Sequence, residues 1–177
     1  MVTPTLQELL VRYKAIEFGD FTLASGAKST YYIDVKSAVT RPDLLAAVAE
    51  KVVQSYDFDV IAGVAVGGVP LAVAVSLASK KPYAIVRSSG KDHGKKDLII
   101  GSVRDKDVLL IEDVTTSGGS ALYGIGTLRS AGARADRVVT VVDREQGAEI
   151  RLMEQGARLI PLVRVSDLLK GKYIIGR

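Results

Sequence analysis

Short apolar runs alternate with helix-like segments along most of this chain, and this alternation restricts the folds that it can adopt. Two of the runs, 108–111 and 138–142, contain no charged side chain, as expected of strands that are covered on both faces. Strands that alternate with helices form a parallel sheet with helices on its two sides. The pattern therefore predicts an α/β fold with a doubly wound parallel sheet.

Element boundaries follow from the apolar periodicity and from the capping and turn residues. The predicted strands are 18–23, 31–35, 60–66, 83–86, 108–111, 138–142 and 159–162. The predicted helices are 3–13, 40–56, 69–79, 120–131 and 148–155, followed by a short helical turn at 166–169. In the first helix Thr3 is the expected N-cap and Pro4 the expected first helical residue. The polar, glycine-containing segment 87–101 is long for a connection in a compact domain, which indicates a functional loop.

Composition excludes several kinds of site. The chain has no cysteine, which excludes disulfides, thiolate nucleophiles and cysteine-based zinc sites, and its single histidine argues against a histidine-rich metal site. The net charge of +4 is spread along the chain. Since a mild positive balance also suits small polyanionic substrates, we expect no nucleic-acid partner.

A membrane segment is not expected either. Segment 60–79 has no charged residue, but its glycines and Pro70 would break a spanning helix, so a strand, a turn and a helix are the better interpretation. The N-terminus lacks a basic segment followed by an apolar stretch, and the cytoplasm is the expected compartment.

Segment 108–120 is the most informative part of the chain. Its strand delivers Glu112 and Asp113 to the carboxyl rim of the sheet, where ligands of doubly wound sheets bind. The Asp113 side chain is expected to face solvent at this rim. A loop rich in hydroxyls and glycines follows, and then a helix begins, so that backbone N–H groups can hold a phosphate. The carboxylates can accept hydrogen bonds from ribose hydroxyls or help to position Mg²⁺. The predicted ribose 5-phosphate site comprises Glu112, Asp113, Val114, Thr115, Thr116, Ser117, Gly118, Gly119 and Ser120.

The order of residues in 108–120 resembles the signature of type I phosphoribosyltransferases. Other segments resemble the orotate phosphoribosyltransferases of that family: the mobile catalytic loop at 87–94, the N-terminal hood at 21–26 and 29–34, and Asp143-Arg144 at a strand end. The resemblance covers nearly the whole chain. It implies a single domain over 1–177, with a hood mainly at 1–40 plus the C-terminal segment, and a core at about 41–160.

The resemblance also implies a reaction in which orotate displaces diphosphate from phosphoribosyl diphosphate. Arg144 would bind the orotate carboxylate, with Thr116 as a second contact, because a guanidinium can donate two hydrogen bonds to a carboxylate. The residues expected to bind phosphoribosyl diphosphate are Arg87, Lys91, His93 and 112–120. The expected catalytic residues are Asp113, Lys91, His93 and Arg87.

Further expectations concern the cofactor and the assembly. The glycine-rich segment 63–70 resembles the loop that holds the diphosphate. Mg²⁺ is the expected cofactor, brought with phosphoribosyl diphosphate and not held by the protein alone. The resemblance implies a homodimer in which the mobile loop closes over the site of the neighbouring subunit.

Three positions depart from the family pattern, since Ala24, Gly67 and Ser88 stand where lysines are common. Fewer cations would then meet the diphosphate. Lys95 and Lys96 are candidates to compensate for this loss.

Two other functions are compatible with parts of the sequence. A phosphoribosyltransferase for another base would keep the Glu112-Asp113 loop but would need neither Arg144 nor the loop at 91–93. A non-catalytic regulator that senses phosphoribosyl diphosphate would usually add a DNA-binding module. No helix-turn-helix fits before Phe18 or after Leu162.

Overall fold

The computed structural model describes residues 4–22, 26, 28–88 and 98–175, with side chains as far as Lys170. The strands are β1 (Ile16–Thr22), β2 (Lys28–Ile33), β3 (Val60–Val64), β4 (Tyr83–Val86), β5 (Ile99–Ile100), β6 (Asp107–Thr115), β7 (Arg134–Asp143) and β8 (Arg158–Arg164). The helices are α1 (Leu6–Arg12), α2 (Val35–Ala38), α3 (Pro42–Ser55), α4 (Gly68–Ser79), α5 (Gly119–Ser130), α6 (Ala148–Glu154) and α7 (Val165–Ile175).

Six of the strands form one sheet in the order β5-β4-β3-β6-β7-β8. Neighbouring strands run parallel except for β5, which is antiparallel to β4. β1 and β2 form a separate antiparallel hairpin, within the part of the chain that was expected to form the hood. The doubly wound α/β fold is therefore confirmed, and β5 is an additional edge strand in the segment expected to be a loop.

Apolar side chains cover both faces of this sheet. Leu109 and Ile111 of β6 pack with α1, α3 and α4 in one buried cluster, whereas Leu110 packs with Ile125 of α5 and Leu152 of α6 in the other. Successive residues alternate between the clusters because neighbouring side chains of a strand point to opposite faces. The continuous apolar run of β6 thus reflects burial on both sides.

The predicted helix start at Thr3 is wrong, because Thr5 caps α1. The Thr5 side-chain oxygen accepts a hydrogen bond from the Glu8 backbone N–H at 3.2 Å, and the Glu8 carboxylate accepts one from the Thr5 N–H at 2.7 Å. This reciprocal pair satisfies two N–H groups at the helix start. The residue three positions after Thr3 is Leu6, which has no carboxylate. The sequence therefore offers Thr3 no partner for the same reciprocal pair.

β6 continues to Thr115, four residues beyond its predicted end at 111. Parallel pairing with β7 supports the extension, since Glu112 lies beside Thr140 and Thr115 beside Asp143. The two carboxylates are consequently part of the strand and not of a turn. α7 is also longer than the short helical turn that was predicted. β4 has the predicted bounds, and the other predicted elements occur with shifted boundaries.

The uncharged segment 60–79 forms β3, a tight turn and α4, as predicted. Pro70 lies in the first turn of α4, where its missing N–H costs no helical hydrogen bond. Among the described residues, no helix combines the length and apolar character that crossing a membrane requires.

Candidate active site

Glu112 and Asp113 lie near the carboxyl end of β6, and both side chains are buried. Each is 4% exposed, so the expected solvent-facing position of the Asp113 side chain is wrong. The reason is that β6 continues past them and stays paired with β7. One oxygen of each carboxylate, Glu112 Oε1 and Asp113 Oδ2, has no hydrogen-bond partner among the described residues. These acceptors are available for hydroxyl groups of a ligand.

Burial strongly affects the protonation of both carboxyls. It raises the pKa of Glu112 to about 8 from an ordinary 4.5, the charge of Asp113 adds to this effect, and the charge of Lys36 opposes it. Burial also raises the pKa of Asp113, while a backbone hydrogen bond at Val114 and the charge of Lys36 lower it. The cause is the lost hydration of a carboxylate that has too few donors around it. A ligand that supplies hydroxyl donors or a cation favours the ionised forms.

The free energy of unfolding is expected to depend on the protonation of Glu112. Between pH 4.5 and about 8 the folded chain holds a proton that the unfolded chain releases. Stability from this group is therefore complete below pH 4.5 and is lost as the pH rises through about 8. Between pH 4.5 and about 8 the free energy of unfolding of the wild type is expected to fall by about 3 to 5 kcal/mol more than that of the Glu112→Gln variant.

Urea unfolding of the ligand-free proteins at a series of pH values measures this difference. The difference between the curves reports the ionisation of Glu112 together with its electrostatic coupling to Asp113. Parallel curves would mean that Glu112 ionises in the folded protein as it does in the unfolded chain.

Glycines allow the segment between β3 and α4 to lie directly against β6. A Cβ atom at Gly67 would be 2.5 Å from the Asp113 carboxylate, and one at Gly68 would be 2.6 Å from the Ile111 carbonyl oxygen. Gly67 stands where lysine is common in the family. The crowding gives a physical reason for glycine here, because a lysine side chain would displace the Asp113 carboxylate. The segment that resembles a diphosphate loop thus lies beside the carboxylate pair.

Gly67→Ala is expected to reduce kcat/KM by about tenfold or more, because the added methyl group overlaps the Asp113 carboxylate. The matched control is Gly126→Ala in α5, where a Cβ atom would meet nothing within 4 Å. The control is expected to keep full activity and to gain about 0.5 to 1 kcal/mol in stability. Steady-state kinetics and urea unfolding of both variants check these values. Normal turnover in Gly67→Ala would show that the position of Asp113 is unimportant.

The loop that joins β6 to α5 requires glycine at its end. Gly118 has a φ of +80°, and a Cβ atom there would lie 3.2 Å from the Ala148 Cα atom. The Gly118 carbonyl accepts a hydrogen bond from the Leu122 N–H at 2.9 Å. Gly119 and Ser120 begin the helix and are exposed. The first N–H groups of a helix carry positive partial charge and bind phosphate.

Arg144 follows β7, and one hydrogen-bond donor of its side chain has no partner among the described residues. Its backbone N–H donates to the Thr115 carbonyl at 2.9 Å, but its Nε atom is buried and has no partner among the described residues. Asp143 is 2% exposed, accepts hydrogen bonds from the Thr115 hydroxyl and the Glu145 N–H at 3.1 Å, and lies 3.6 Å from Arg164. Asp143 therefore holds the strand ends together, whereas Arg144 is available for a planar anion.

Arg87, the residue after β4, is held through its backbone. Its N–H donates to the Leu98 carbonyl at 2.8 Å, and its carbonyl accepts a hydrogen bond from the Tyr123 hydroxyl at 2.8 Å. The structure thus fixes the first residue of the segment that resembles a catalytic loop. The sequence-predicted positions that lie outside the described residues are Ala24, Lys91, His93, Lys95 and Lys96. Their roles stay predictions.

Three buried side-chain atoms lack a hydrogen-bond partner in the part of the chain that the structure describes, and all three belong to predicted site residues. They are Glu112 Oε1, Asp113 Oδ2 and Arg144 Nε, at the carboxyl ends of the neighbouring strands β6 and β7. Buried polar groups in native proteins almost always have a partner, so these atoms make the carboxyl ends of β6 and β7 the candidate binding site. Within the same residues, no group of three or more histidine, cysteine, aspartate or glutamate side chains is placed to hold a metal ion.

Two cationic residues near the site were not predicted. Lys36 of α2 lowers the pKa of both carboxyls, and α2 packs beside β6. Arg151 of α6 donates from Nη1 to the Ser117 carbonyl at 2.8 Å. Neither residue belongs to a recognisable motif, because each reaches the site through the packing of its helix. Local sequence patterns contain no signal for such packing.

Comparison with known proteins identifies the class that this fold and site define. The family model described as "Phosphoribosyl transferase domain" matches residues 36–153. The orotate phosphoribosyltransferase of Methanocorpusculum labreanum is 64% identical, over 92% of this chain and 96% of its own length. That of Methanoculleus marisnigri is 61% identical, over 97% of this chain and 100% of its own length.

Solved structures agree with these relatives. The orotate phosphoribosyltransferase from Aeropyrum pernix has a TM-score of 0.82 at 29% identity, covering 98% of this chain and 100% of that one. The Mycobacterium tuberculosis H37Rv orotate phosphoribosyltransferase in complex with Fe(III) dicitrate has a TM-score of 0.81 at 31% identity, covering 93% of this chain and 99% of that one. The chain belongs to the phosphoribosyltransferase family and, within it, to the orotate phosphoribosyltransferases.

Proposed function

We propose that the protein transfers ribose 5-phosphate from phosphoribosyl diphosphate to orotate, giving orotidine 5'-phosphate and diphosphate. One observation carries the proposal: the three unpartnered buried atoms of Glu112, Asp113 and Arg144 at adjacent strand ends. Two are acceptors, which suit the vicinal ribose hydroxyls. The third belongs to a guanidinium, which suits the carboxylate that distinguishes orotate from uracil.

The reaction requires little covalent chemistry from the protein. A ring nitrogen of orotate forms a bond to the anomeric carbon while the bond from that carbon to diphosphate breaks, and the electron pair leaves with the diphosphate oxygen. The proton of the ring nitrogen is released to the departing diphosphate or to water. The ribose acquires the character of an oxocarbenium ion, as in glycosidic cleavage. Ionised Glu112 and Asp113 stabilise this positive charge and accept hydrogen bonds from the ribose hydroxyls. Arg144 orients the base, with Thr116 as a second contact.

Mg²⁺ is proposed as the cofactor, entering with phosphoribosyl diphosphate. Carboxylate oxygens are ligands that Mg²⁺ prefers, and the unpartnered oxygens of Glu112 and Asp113 are of this type. The cation would neutralise charge on the leaving diphosphate. We also propose the cytoplasm as the compartment.

A homodimer with a loop that acts in trans is proposed from the family resemblance. Arg87, Lys91 and His93 would then meet the diphosphate bound by the neighbouring subunit. Mixing inactive Lys91→Ala protein with inactive Asp113→Asn protein tests this arrangement, because a mixed dimer contains one site with both groups intact. About half of the dimers would be mixed, so about a quarter of wild-type activity is expected. No recovery despite demonstrated subunit exchange would contradict a loop that acts in trans.

The base that is used decides between this function and the alternatives. Purified protein with phosphoribosyl diphosphate and Mg²⁺ is assayed with orotate, uracil, adenine and hypoxanthine in parallel. The ultraviolet absorbance of orotate is expected to fall, with no turnover of the other bases. Turnover of another base would favour a phosphoribosyltransferase of different specificity, and no turnover of any base would favour a non-catalytic sensor.

A further inference from the structure

The phosphate loop, residues 115–120, contacts α6 through a hydrogen bond and through close packing. Arg151 Nη1 donates a hydrogen bond to the Ser117 carbonyl at 2.8 Å. The next residue, Gly118, lies so close to Ala148 that a Cβ atom would be 3.2 Å from the Ala148 Cα atom. Ala148 and Arg151 are three residues apart and share one face of α6. The same face of α6 thus provides both a packing surface and a hydrogen-bond donor for the loop.

Peptide geometry connects this hydrogen bond to the opposite side of the loop. The Ser117 carbonyl and the Gly118 N–H belong to one peptide unit, which is trans. In a trans peptide the carbonyl and the N–H point in opposite directions. With the carbonyl directed at Arg151, the Gly118 N–H points away from α6. A cationic donor on the carbonyl also polarises the peptide and strengthens its N–H as a donor.

We infer that Arg151 is a positioning residue of the phosphate loop, which orients and polarises the Ser117–Gly118 peptide for the 5'-phosphate of the substrate. The inference rests on the proposed function, since it assigns this loop to the 5'-phosphate. Arg151 forms no ion pair within the described residues, so its charge is not neutralised by a nearby carboxylate. Its side chain is exposed, and solvent moderates the size of the effect.

Two ligands separate this role from a general effect on the site. Ribose 5-phosphate engages the phosphate loop, whereas diphosphate with Mg²⁺ engages the segment around Gly67. Arg151→Ala is expected to weaken ribose 5-phosphate binding about 3- to 20-fold, and to raise the KM for phosphoribosyl diphosphate similarly. The Kd for diphosphate and the KM for orotate are expected to change by less than about twofold. Arg151→Lys keeps the charge and is expected to lose less.

Arg158→Ala is the matched control. It removes the same charge from an exposed arginine at the start of β8, at the end of the strand remote from the site, and is expected to leave both Kd values unchanged. Titration calorimetry gives the Kd values, and thermal unfolding shows whether the variants remain folded. Unchanged ribose 5-phosphate binding in Arg151→Ala, or an equal loss for both ligands, would overturn the inference. Failure of the wild type to turn over orotate would instead overturn the proposed function.

Discussion

Arg144→Ala is expected to raise the KM for orotate about 10- to 1,000-fold, because a buried charge-assisted hydrogen bond is worth a few kcal/mol. The KM for phosphoribosyl diphosphate is expected to stay within about twofold of the wild-type value. The change removes the guanidinium, whose Nε atom has no partner among the described residues, but keeps the backbone hydrogen bond from Arg144 to the Thr115 carbonyl. The strand ends should therefore keep their arrangement.

Steady-state kinetics with each substrate varied in turn measures both constants. Arg144→Lys serves as the control for charge, since an ammonium keeps the positive charge without the planar pair of donors. It is expected to recover only part of the orotate affinity. An unchanged KM for orotate in the alanine variant would assign the carboxylate of the base to a different arginine.

Asp113→Asn is expected to lower kcat/KM by about 100-fold or more, because it removes a charge that stabilises the ribosyl cation and an acceptor for a ribose hydroxyl. The ligand-free variant is expected to be at least as stable as the wild type. Burial raises the pKa of Asp113, which shows that the ionised carboxylate is unfavourable in the folded protein without a ligand. Lower activity is thus expected together with equal or higher stability.

Asp136→Asn is the control, since Asp136 is an exposed carboxylate near the start of β7. It is expected to keep normal turnover. Thermal unfolding and kinetics of the two variants are compared in the same buffer. A stable Asp113→Asn protein with near-normal kcat/KM would remove Asp113 from the active site.

The sequence was sufficient for the fold, whereas the chemistry of the central strand stays a prediction. Apolar run 108–111 predicted β6, and the residues after it predicted a ribose 5-phosphate site. The extent of β6 was missed because Glu112 and Asp113 resemble the end of a strand in sequence. The strand continues since residues 112–115 pair with β7, a long-range interaction that local periodicity does not contain.

At the site, too, the features that the sequence did not predict depend on contacts between residues that are distant in sequence. Gly67 was interpreted from sequence as a lost cation, whereas a side chain at this position would overlap the Asp113 carboxylate unless that carboxylate moved. Lys36 and Arg151 were missed because the packing of α2 and α6 brings them to the site. Lys91 and His93, which lie outside the described residues, stay predictions that depend on the family resemblance.

The central claim is that the unpartnered atoms of Glu112, Asp113 and Arg144 receive the ribose and the base. A crystal structure of the protein with orotidine 5'-phosphate tests it most directly. The ribose hydroxyls are expected at hydrogen-bond distance, about 2.5 to 3.0 Å, from the carboxylates, and the orotate carboxylate is expected about 2.7 to 2.9 Å from the Arg144 guanidinium. A nucleotide bound elsewhere, or a base carboxylate that does not contact Arg144, would rule out these roles for the three residues.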